Sequence, residues 1–277
     1  TNFWGSRAIV GAIGPDEPDR IRDRDGVSIG EAMRGVGLDP GRIAGARRDD
    51  IDTWIELHIE QGPILEDEGL QVGVVDAITA IRHYVVELRG RSDHAGARPM
   101  AGRLDPTAGF AEIATAVIGV ALESGPPAVT TIGRIEVEPN LPSAVPDVVR
   151  FTLDSRHPDQ AAVDAQHARQ EQLMREIAER RGLQISWTTP LDLPASPSDP
   201  AVVAELERAA ADLEIPFRTM HSGAGHDTQN IARIARTAMV FARSKDGRSH
   251  TPEEFTSVED AVAAIRVLAT ALHRLAY

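Results

Sequence analysis

Apolar and polar residues alternate in several short stretches of this chain, and such alternation predicts β-strands with one buried face. The clearest case is TWIELHIE, at residues 53–60. One face of this strand carries Ile55, Leu57 and Ile59. The other face carries Glu56, His58 and Glu60. The opening stretch TNFWGSRAIVGAIG is also apolar and strand-like, so a strand is expected there.

Residues 82–190 show a different order of elements. HYVVELRG predicts a strand, and DPTAGFAEIATAVIGVALES predicts a helix with Asp105 as its N-cap and Pro106 in its first turn. AVTTIGRIEV and VVRFTLD predict strands, a charged helix then ends at Gly182, and LQISWTT predicts a last strand. The order β-α-β-β-α-β is typical of a small sheet with both helices on one face.

The flanking segments predict an α/β domain that this unit interrupts. SIGEAMRGVG predicts a helix ending at Gly35 or Gly37, and SDPAVVAELERAAADLEI predicts a helix with a cap and a proline. The last helix, SVEDAVAAIRVLATALHRLA, has Ser257 and Asp260 as a capping box. Its helical spacing predicts a buried face made of Val262, Ile265, Leu268, Leu272 and Leu275. The Pro-rich PLDLPASPSDP predicts a linker, so the expected domains are 1–81 with 196–277, and 82–195.

Composition narrows the classes of partner. The net charge is −13 over 277 residues and no Lys/Arg-rich run occurs, which argues against nucleic acid and anionic membranes. Because the chain contains no cysteine, a metal site would have to use His, Asp and Glu. No apolar run of membrane-spanning length and no signal peptide is recognised, so a cytoplasmic location is the default expectation.

Three histidines in this α/β domain are candidates for chemistry. His58 is flanked at i±2 by carboxylates, which commonly orient a metal-binding imidazole. His250 follows a Gly-containing turn in SKDGRSHTPEEF, and His226 lies in the Gly-rich SGAGHD, where backbone N–H groups can converge on an anion. Each also has an ordinary explanation: a solvated strand face, a loop histidine, or a turn that needs glycine.

Two further candidates lie in the interrupting unit. His94 is in the glycine-flanked loop GRSDHAGARPM, and Arg156 ends the strand RFTLDSR, where its guanidinium suits a carboxylate. From the residues alone, a salt bridge from Arg156 to Asp154 or Asp159 is favoured. Two local patterns have simpler explanations as helix entries: the acid of the HPD triplet at 157–159, and the Glu253–Glu254 pair.

The motifs ELHIEQGPILE, GRSDHAGARPMAGRLDP, VEPNLPSAVPDVVRFTLDSRHPD, SGAGHD and DGRSHTPEE occur in this order. Together they resemble the amidohydrolase family of N-carbamoyl-L-amino-acid hydrolases, allantoate amidohydrolases and β-ureidopropionases, which are related to the dizinc aminopeptidases and aminoacylases. The resemblance covers essentially the whole chain. It implies an aminopeptidase-like catalytic α/β domain with an inserted ferredoxin-like α+β lid, which also forms a homodimer interface.

The resemblance also implies roles for individual residues. His58 and His250 are expected to bind metal, in a site for two divalent ions that Zn, Mn, Co or Ni would suit. His94 is expected to reach the partner subunit's site and stabilise an oxyanion. The expected contacts to a small carboxylate substrate are Gln61, Asn140, Arg156, Gly225 and His226. Asn140 lies out of register with the family's substrate asparagine, and Ser143 stands nearer that position.

The activity implied by the resemblance is metal-dependent hydrolysis of a carbamoyl or ureido C–N bond. TNFWGSRAIVG resembles family sequence that follows an H-x-D pair and a Glu-Glu pair, so an N-terminal segment carrying these groups is expected to be missing. The chain alone is therefore expected to bind metal weakly and to be inactive. The alternative is a non-catalytic fragment or subunit that keeps the dimerisation lid.

Overall fold

The computed structural model describes residues 3–277, and the chain divides into two compact units. The first combines the N-terminal part up to Ile78 with Ser196–Tyr277, and the second is Thr79–Ala195. The helices are α1 (Trp4–Ile9), α2 (Glu17–Arg20), α3 (Ile29–Gly35), α4 (Ile64–Asp67), α5 (Pro106–Ser124), α6 (Gln160–Arg180), α7 (Pro200–Asp212), α8 (Thr228–Ile231) and α9 (Val258–Ala276). The strands are β1 (Thr53–Ile59), β2 (Val72–Ile78), β3 (Ala80–Arg89), β4 (Asp93–His94), β5 (Val129–Thr131), β6 (Ile135–Glu138), β7 (Ala144–Val145), β8 (Val148–His157), β9 (Gln184–Leu193), β10 (Ser196–Pro197), β11 (Phe217–Ser222) and β12 (Arg236–Ala242).

The first unit is built on a mixed sheet. β1 pairs in parallel with β12, β12 pairs antiparallel with β2, and β2 pairs in parallel with β11. Ile55 and Leu57 of β1 pack against the core that also holds the buried residues of α7 and α9. Glu56 and His58 point to the opposite face, as the period of two requires. The alternation predicted for β1 is therefore confirmed.

The predicted buried face of α9 is wrong. Val262, Ile265, Leu272 and Leu275 are exposed, whereas the buried residues are Asp260, Ala263, Ala264, Val267 and Ala271. The helix is apolar on more than one side, so its 3.6-residue period fits either face. The small side chains face the core because they let the helix axis approach the sheet closely.

The second unit follows the predicted β-α-β-β-α-β order when the short pair β4 and β7 is set aside, except that the predicted strand AVTTIGRIEV is divided into β5 and β6. Its sheet runs β5–β8–β3–β9, with β6 also on β8, and every pairing is antiparallel. α5 and α6 pack on one core with Tyr84, Phe151 and Leu153 of the sheet. Asp105 and Asp159 cap the two helices through bonds to backbone N–H groups. The second unit is thus a ferredoxin-like α+β arrangement, and the first is an aminopeptidase-like α/β unit.

Three other expectations need correction. The apolar start forms helix α1 rather than a strand, while Thr1 and Asn2 lie outside the described residues. The expected linker is strand as far as Leu193, which pairs with Ile81.

The third correction concerns apolar length, since the sequence predicts no run of membrane-spanning length. Among residues 3–277, α5 is long and apolar enough to cross a membrane by length and composition. Its Ile113 and Val117 are buried in the core of the second unit.

Candidate functional site

The candidate site of the first unit begins on the polar face of β1. Glu56 and His58 are two positions apart in one strand, so both side chains rise from the same face of the sheet. His58 Nδ1 lies 2.9 Å from the carbonyl oxygen of Ile59. If Nδ1 carries the proton and donates to that carbonyl, Nε2 keeps a free lone pair.

His226 reaches this face from the loop that follows β11. The loop residues Gly223–Gly225 lead to α8, whose Thr228 donates to Glu56 Oε2 from its backbone nitrogen (3.0 Å) and its hydroxyl (2.6 Å). His226 is buried, and its ring lies edge-to-face with that of His58 at a centroid distance of 4.8 Å. The loop and α8 therefore carry His226 onto the face formed by β1.

Glu56, His58 and His226 form the candidate metal group. Each offers one ligand atom, and these atoms all lie within 4.8 Å of one another. His226 Nδ1 is 3.6 Å from Glu56 Oε1. Two imidazoles and one carboxylate form a donor set suited to Zn²⁺, Mn²⁺ or another first-row divalent ion.

The surrounding hydrogen bonds fit this role. The Ser222 hydroxyl donates to the Ala224 carbonyl at 3.2 Å, and Ser222 Oγ accepts the Ala224 N–H at 3.2 Å. His226 Nε2 lies 2.7 Å from the same oxygen, so Nε2–H is the donor in a consistent assignment. That leaves Nδ1 of His226 and Oε1 of Glu56 as ligand atoms. Supporting bonds of this kind orient the ligands of metal sites.

The electrostatics of Glu56 favour its charged form. Burial alone would raise the pKa of this carboxyl group, but His226 in its protonated form and the two hydrogen bonds from Thr228 outweigh burial and hold the pKa below its usual value. An ionised carboxylate is the form that binds a cation.

Gln61 and His250 lie beyond the end of β1. The Gln61 side chain donates to Ser249 Oγ at 2.6 Å, which joins the end of β1 to the loop that carries His250. The His250 side chain is exposed, and its backbone is left-handed with φ of 58°. Among residues 3–277, one group of three possible metal ligands contains His58. Its other members are Glu56 and His226, and His250 is not among them.

His94 belongs to the second unit and is exposed. Its Nδ1 accepts the backbone N–H groups of Gly96 and Ala97, both at 3.1 Å. Nδ1 therefore carries the lone pair, and in the neutral ring the proton is on Nε2. The outward-facing nitrogen of this imidazole is a hydrogen-bond donor.

Arg156 forms the salt bridge that the residues alone favoured. Its Nε and Nη2 donate to the two Asp154 oxygens at 2.8 and 2.6 Å. His83 Nε2 lies 2.8 Å from Asp154 Oδ2. Burial would raise the pKa of Asp154, but Arg156 and His83 hold it below its usual value.

Asn140 is exposed, with a left-handed φ of 53°.

Two glutamates contact the candidate site in ways that their sequence motifs do not indicate. The sequence predicts only that Glu56 orients His58, yet its carboxylate is part of the ligand group. The sequence predicts a helix entry at Glu254, but α9 begins at Val258, and Glu254 Oε2 accepts hydrogen bonds from the Ser249 hydroxyl and the His250 N–H. The i−2 spacing from His58 was the available signal for Glu56. No local signal distinguishes Glu254 from Glu253.

Comparison with known proteins places this fold and site in context. The model of "Peptidase family M20/M25/M40" matches residues 4–274. The allantoate amidohydrolase of Escherichia coli K12 is 38% identical over 275 residues, covering 99% of this chain and 67% of that protein. The N-carbamoyl-L-amino-acid amidohydrolase of Paenarthrobacter aurescens is 38% identical over 262 residues, covering 94% of this chain and 64% of that protein.

A solved structure agrees with the sequence comparisons. The hydantoinase/carbamoylase family amidase of Burkholderia multivorans superposes with a TM-score of 0.86 at 33% identity, covering 98% of this chain and 66% of that one. The chain spans about two thirds of the length of these relatives.

Proposed function

Because this chain belongs to peptidase family M20/M25/M40, we propose that it serves in the metal-dependent hydrolysis of a carbamoyl or ureido C–N bond. The substrate class is a small carboxylate that carries a ureido group, such as allantoate or an N-carbamoyl amino acid. Its relatives named as allantoate and N-carbamoyl-L-amino-acid amidohydrolases support this class. A cytoplasmic location is part of the same proposal.

The observation that carries the proposal is the convergence of Glu56, His58 and His226, with ligand atoms within 4.8 Å of one another. These residues would hold one divalent ion, and His250 is proposed as a ligand in a site for two. Such an ion lowers the pKa of a bound water and polarises a carbonyl oxygen. The role of the protein is to keep Glu56 ionised and both imidazoles oriented before the substrate arrives.

The second unit is proposed to supply some of the groups that recognise the substrate. His94 presents an N–H donor, and from the partner subunit it would offset negative charge on the oxygen of an attacked carbonyl. Arg156 would bind the substrate carboxylate, and its fixed guanidinium plane favours two parallel hydrogen bonds. Since Asp154 already holds this guanidinium, the substrate must compete with that pair or share it. Gln61, Asn140, Gly225 and the His226 loop are the other proposed contacts.

We propose that the second unit also forms a homodimer. Four apolar side chains are exposed on α5 and on the neighbouring strands β5 and β6: Ile118, Leu122, Val129 and Ile135. An exposed apolar patch beside sheet strands suits pairing with a second copy. Leu122→Glu with Val129→Lys should give a monomer by light scattering, whereas Leu272→Glu on α9 should not. A wild-type chain that is monomeric at high concentration would contradict this part.

The function is tested by ammonia release from allantoate and from N-carbamoyl-L-amino acids, with Mn²⁺ or Zn²⁺ added and with a chelator. Calorimetry measures metal binding in parallel. His58→Ala should abolish both metal binding and any ammonia release, while His273→Ala, on the last turn of α9, should change neither. Ammonia release that persists in His58→Ala with chelator would contradict the proposal.

The same experiment separates the non-catalytic alternative. Metal binding that depends on His58, without ammonia release even when the chain is co-expressed with a segment carrying the H-x-D and Glu-Glu groups, would favour a binding subunit or fragment. Weak binding and no turnover by the isolated 277-residue chain is the expected result, because the ligand group among its described residues has one carboxylate. Turnover by that chain would contradict the expected inactivity but support the enzyme.

A further inference from the structure

The His250 loop is closed on itself and pressed against the segment that follows β1. The backbone of Lys245 donates to the carbonyl of Phe255 at 2.9 Å, which closes the loop at its base. A Cβ added at Gly247 would lie 2.6 Å from the backbone of Gly62 and Pro63, so only glycine allows this approach. The loop is therefore seated on residues 61–63.

Left-handed residues occur on both sides of this contact. Gln61 has φ of 59°, Asp246 has φ of 54° and His250 has φ of 58°. Non-glycine residues in this region are strained, and the strain persists only where surrounding interactions fix it. Hydrogen bonds that hold His250 in this conformation are therefore to be expected.

A chain of hydrogen bonds meets that requirement. The Gln61 side chain donates to Ser249 Oγ at 2.6 Å, and the Ser249 hydroxyl donates to Glu254 Oε2 at 2.6 Å. The same Glu254 oxygen accepts the backbone N–H of His250 at 3.1 Å. In addition, the Gln61 backbone N–H donates to Ser244 Oγ at 3.1 Å. The first three bonds lead to the carboxylate of Glu254, and the fourth holds the Gln61 backbone.

The geometry points to a clasp made of Gln61, Ser249 and Glu254, which positions His250 beside the end of β1. This inference rests on the proposed role of His250 as a ligand. Glu254 is a positioning residue, since it acts through the His250 backbone. The Gln61 amide serves the clasp, so its contribution to substrate binding is secondary to its hold on the His250 loop.

The neighbouring carboxylate takes no part in the clasp. Glu253 faces Arg248 instead, with its Oε2 3.7 Å from an Arg248 guanidinium nitrogen.

The clasp is tested with the full chain by two measurements. Hydrogen exchange reports on the His250 amide, and calorimetry reports the affinity for Zn²⁺. Glu254→Ala should speed exchange at His250 at least about tenfold and weaken Zn²⁺ binding about tenfold, the loss typical when a ligand's supporting partner is removed. Ser249→Ala should act in the same direction, whereas Ser249→Thr should restore both values. Glu253→Ala is the matched control and should change neither.

The outcomes distinguish the clasp from the proposed function. Unchanged exchange at His250 in both Glu254→Ala and Ser249→Ala would overturn the clasp. If His250→Ala weakens Zn²⁺ binding but Glu254→Ala does not, the clasp fails as a positioning device and the ligand role stands. If His250→Ala leaves Zn²⁺ binding unchanged, His250 is not a ligand. In that case Glu254 does not position one. Circular dichroism of each variant should retain the wild-type helical signal.

Discussion

At the scale of single residues, Arg156 gives the most direct test of substrate recognition. Its guanidinium makes two parallel hydrogen bonds to Asp154, so its plane is already fixed. Arg156→Lys should weaken binding of an N-carbamoyl amino acid about tenfold by calorimetry, because an ammonium group cannot reproduce the fork. Arg134→Lys, on an exposed arginine of the same unit, is the control. Equal affinity in the two variants would count against the role.

The buried imidazole of His167 should make the stability of the second unit depend on pH. It is buried, and neither ring nitrogen has a hydrogen-bond partner of normal geometry among the described residues. Burial, and then the charge of Arg82, lower the pKa of His167 below its ordinary value of 6.5; the Ser155 backbone, Asp192 and Asp164 act weakly in the opposite sense.

The sign of this dependence follows from proton binding. The folded state binds the His167 proton less tightly than the unfolded state, so stability falls as the pH drops below about 6.5 and continues to fall until the folded pKa is reached. Each unit of pKa difference corresponds to about 1.4 kcal/mol. His167→Phe should flatten the pH dependence of the unfolding free energy between pH 7 and 5, measured by urea denaturation. His273→Phe, at the exposed end of α9, should leave it unchanged.

The site residues differ in how far the sequence could predict them. His58 stands in a strand whose alternation fixes its face, so the pairing with Glu56 follows from local pattern. His226 reaches the same face only because the loop after β11 folds back over β1. Its contact with His58 is a long-range fact that no spacing contains. The same holds for Glu254. Its partner Ser249 is local, but Ser249 in turn bonds to Gln61, which is 188 positions away in the chain.

At the scale of elements, caps were predictable and buried faces were less so. Asp105 and Asp199 cap α5 and α7 as their motifs indicate, because a cap satisfies N–H groups within one helical turn. Ser257 caps α9, but the predicted capping box is only half formed, because Asp260 accepts the Ser257 hydroxyl rather than the Ser257 backbone N–H. The buried face of α9 depends instead on how closely the helix approaches the sheet. The larger apolar side chains suggested the wrong face.

A pair of substitutions tests the observed orientation of α9. Val267 is fully buried, whereas Ile265 is 49% exposed. Val267→Ala should lower the free energy of unfolding by about 2 kcal/mol, since it removes two buried methyl groups and leaves a cavity. Ile265→Ala should cost less than about 1 kcal/mol by the same measure. A larger loss for Ile265→Ala would restore the face predicted from helical spacing.

At the scale of the whole molecule, the chain divides into one unit made of two separate segments and a second unit made of the segment between them. The observed boundaries, after Ile78 and after Ala195, lie close to the expected ones at 81 and 195. The order of elements contained this information, because β-α-β-β-α-β closes a sheet without needing strands from outside. The roles of lid and catalytic domain stay predictions.

Because the two units have separate hydrophobic cores, each unit is expected to unfold cooperatively on its own. The core of the second unit contains Tyr84, Phe151 and Met174, whereas Val240 and Val267 belong to a core of the first. Phe151 is 1% exposed, so Phe151→Ala should destabilise the second unit by about 3–5 kcal/mol. Amide exchange should then accelerate throughout residues 79–195 while β2 and β12 stay protected. Val240→Ala is the reciprocal control and should accelerate exchange in the first unit. Uniform acceleration across both units in either variant would mean that the chain unfolds as one cooperative body, and the two cores would then be coupled parts of a single domain.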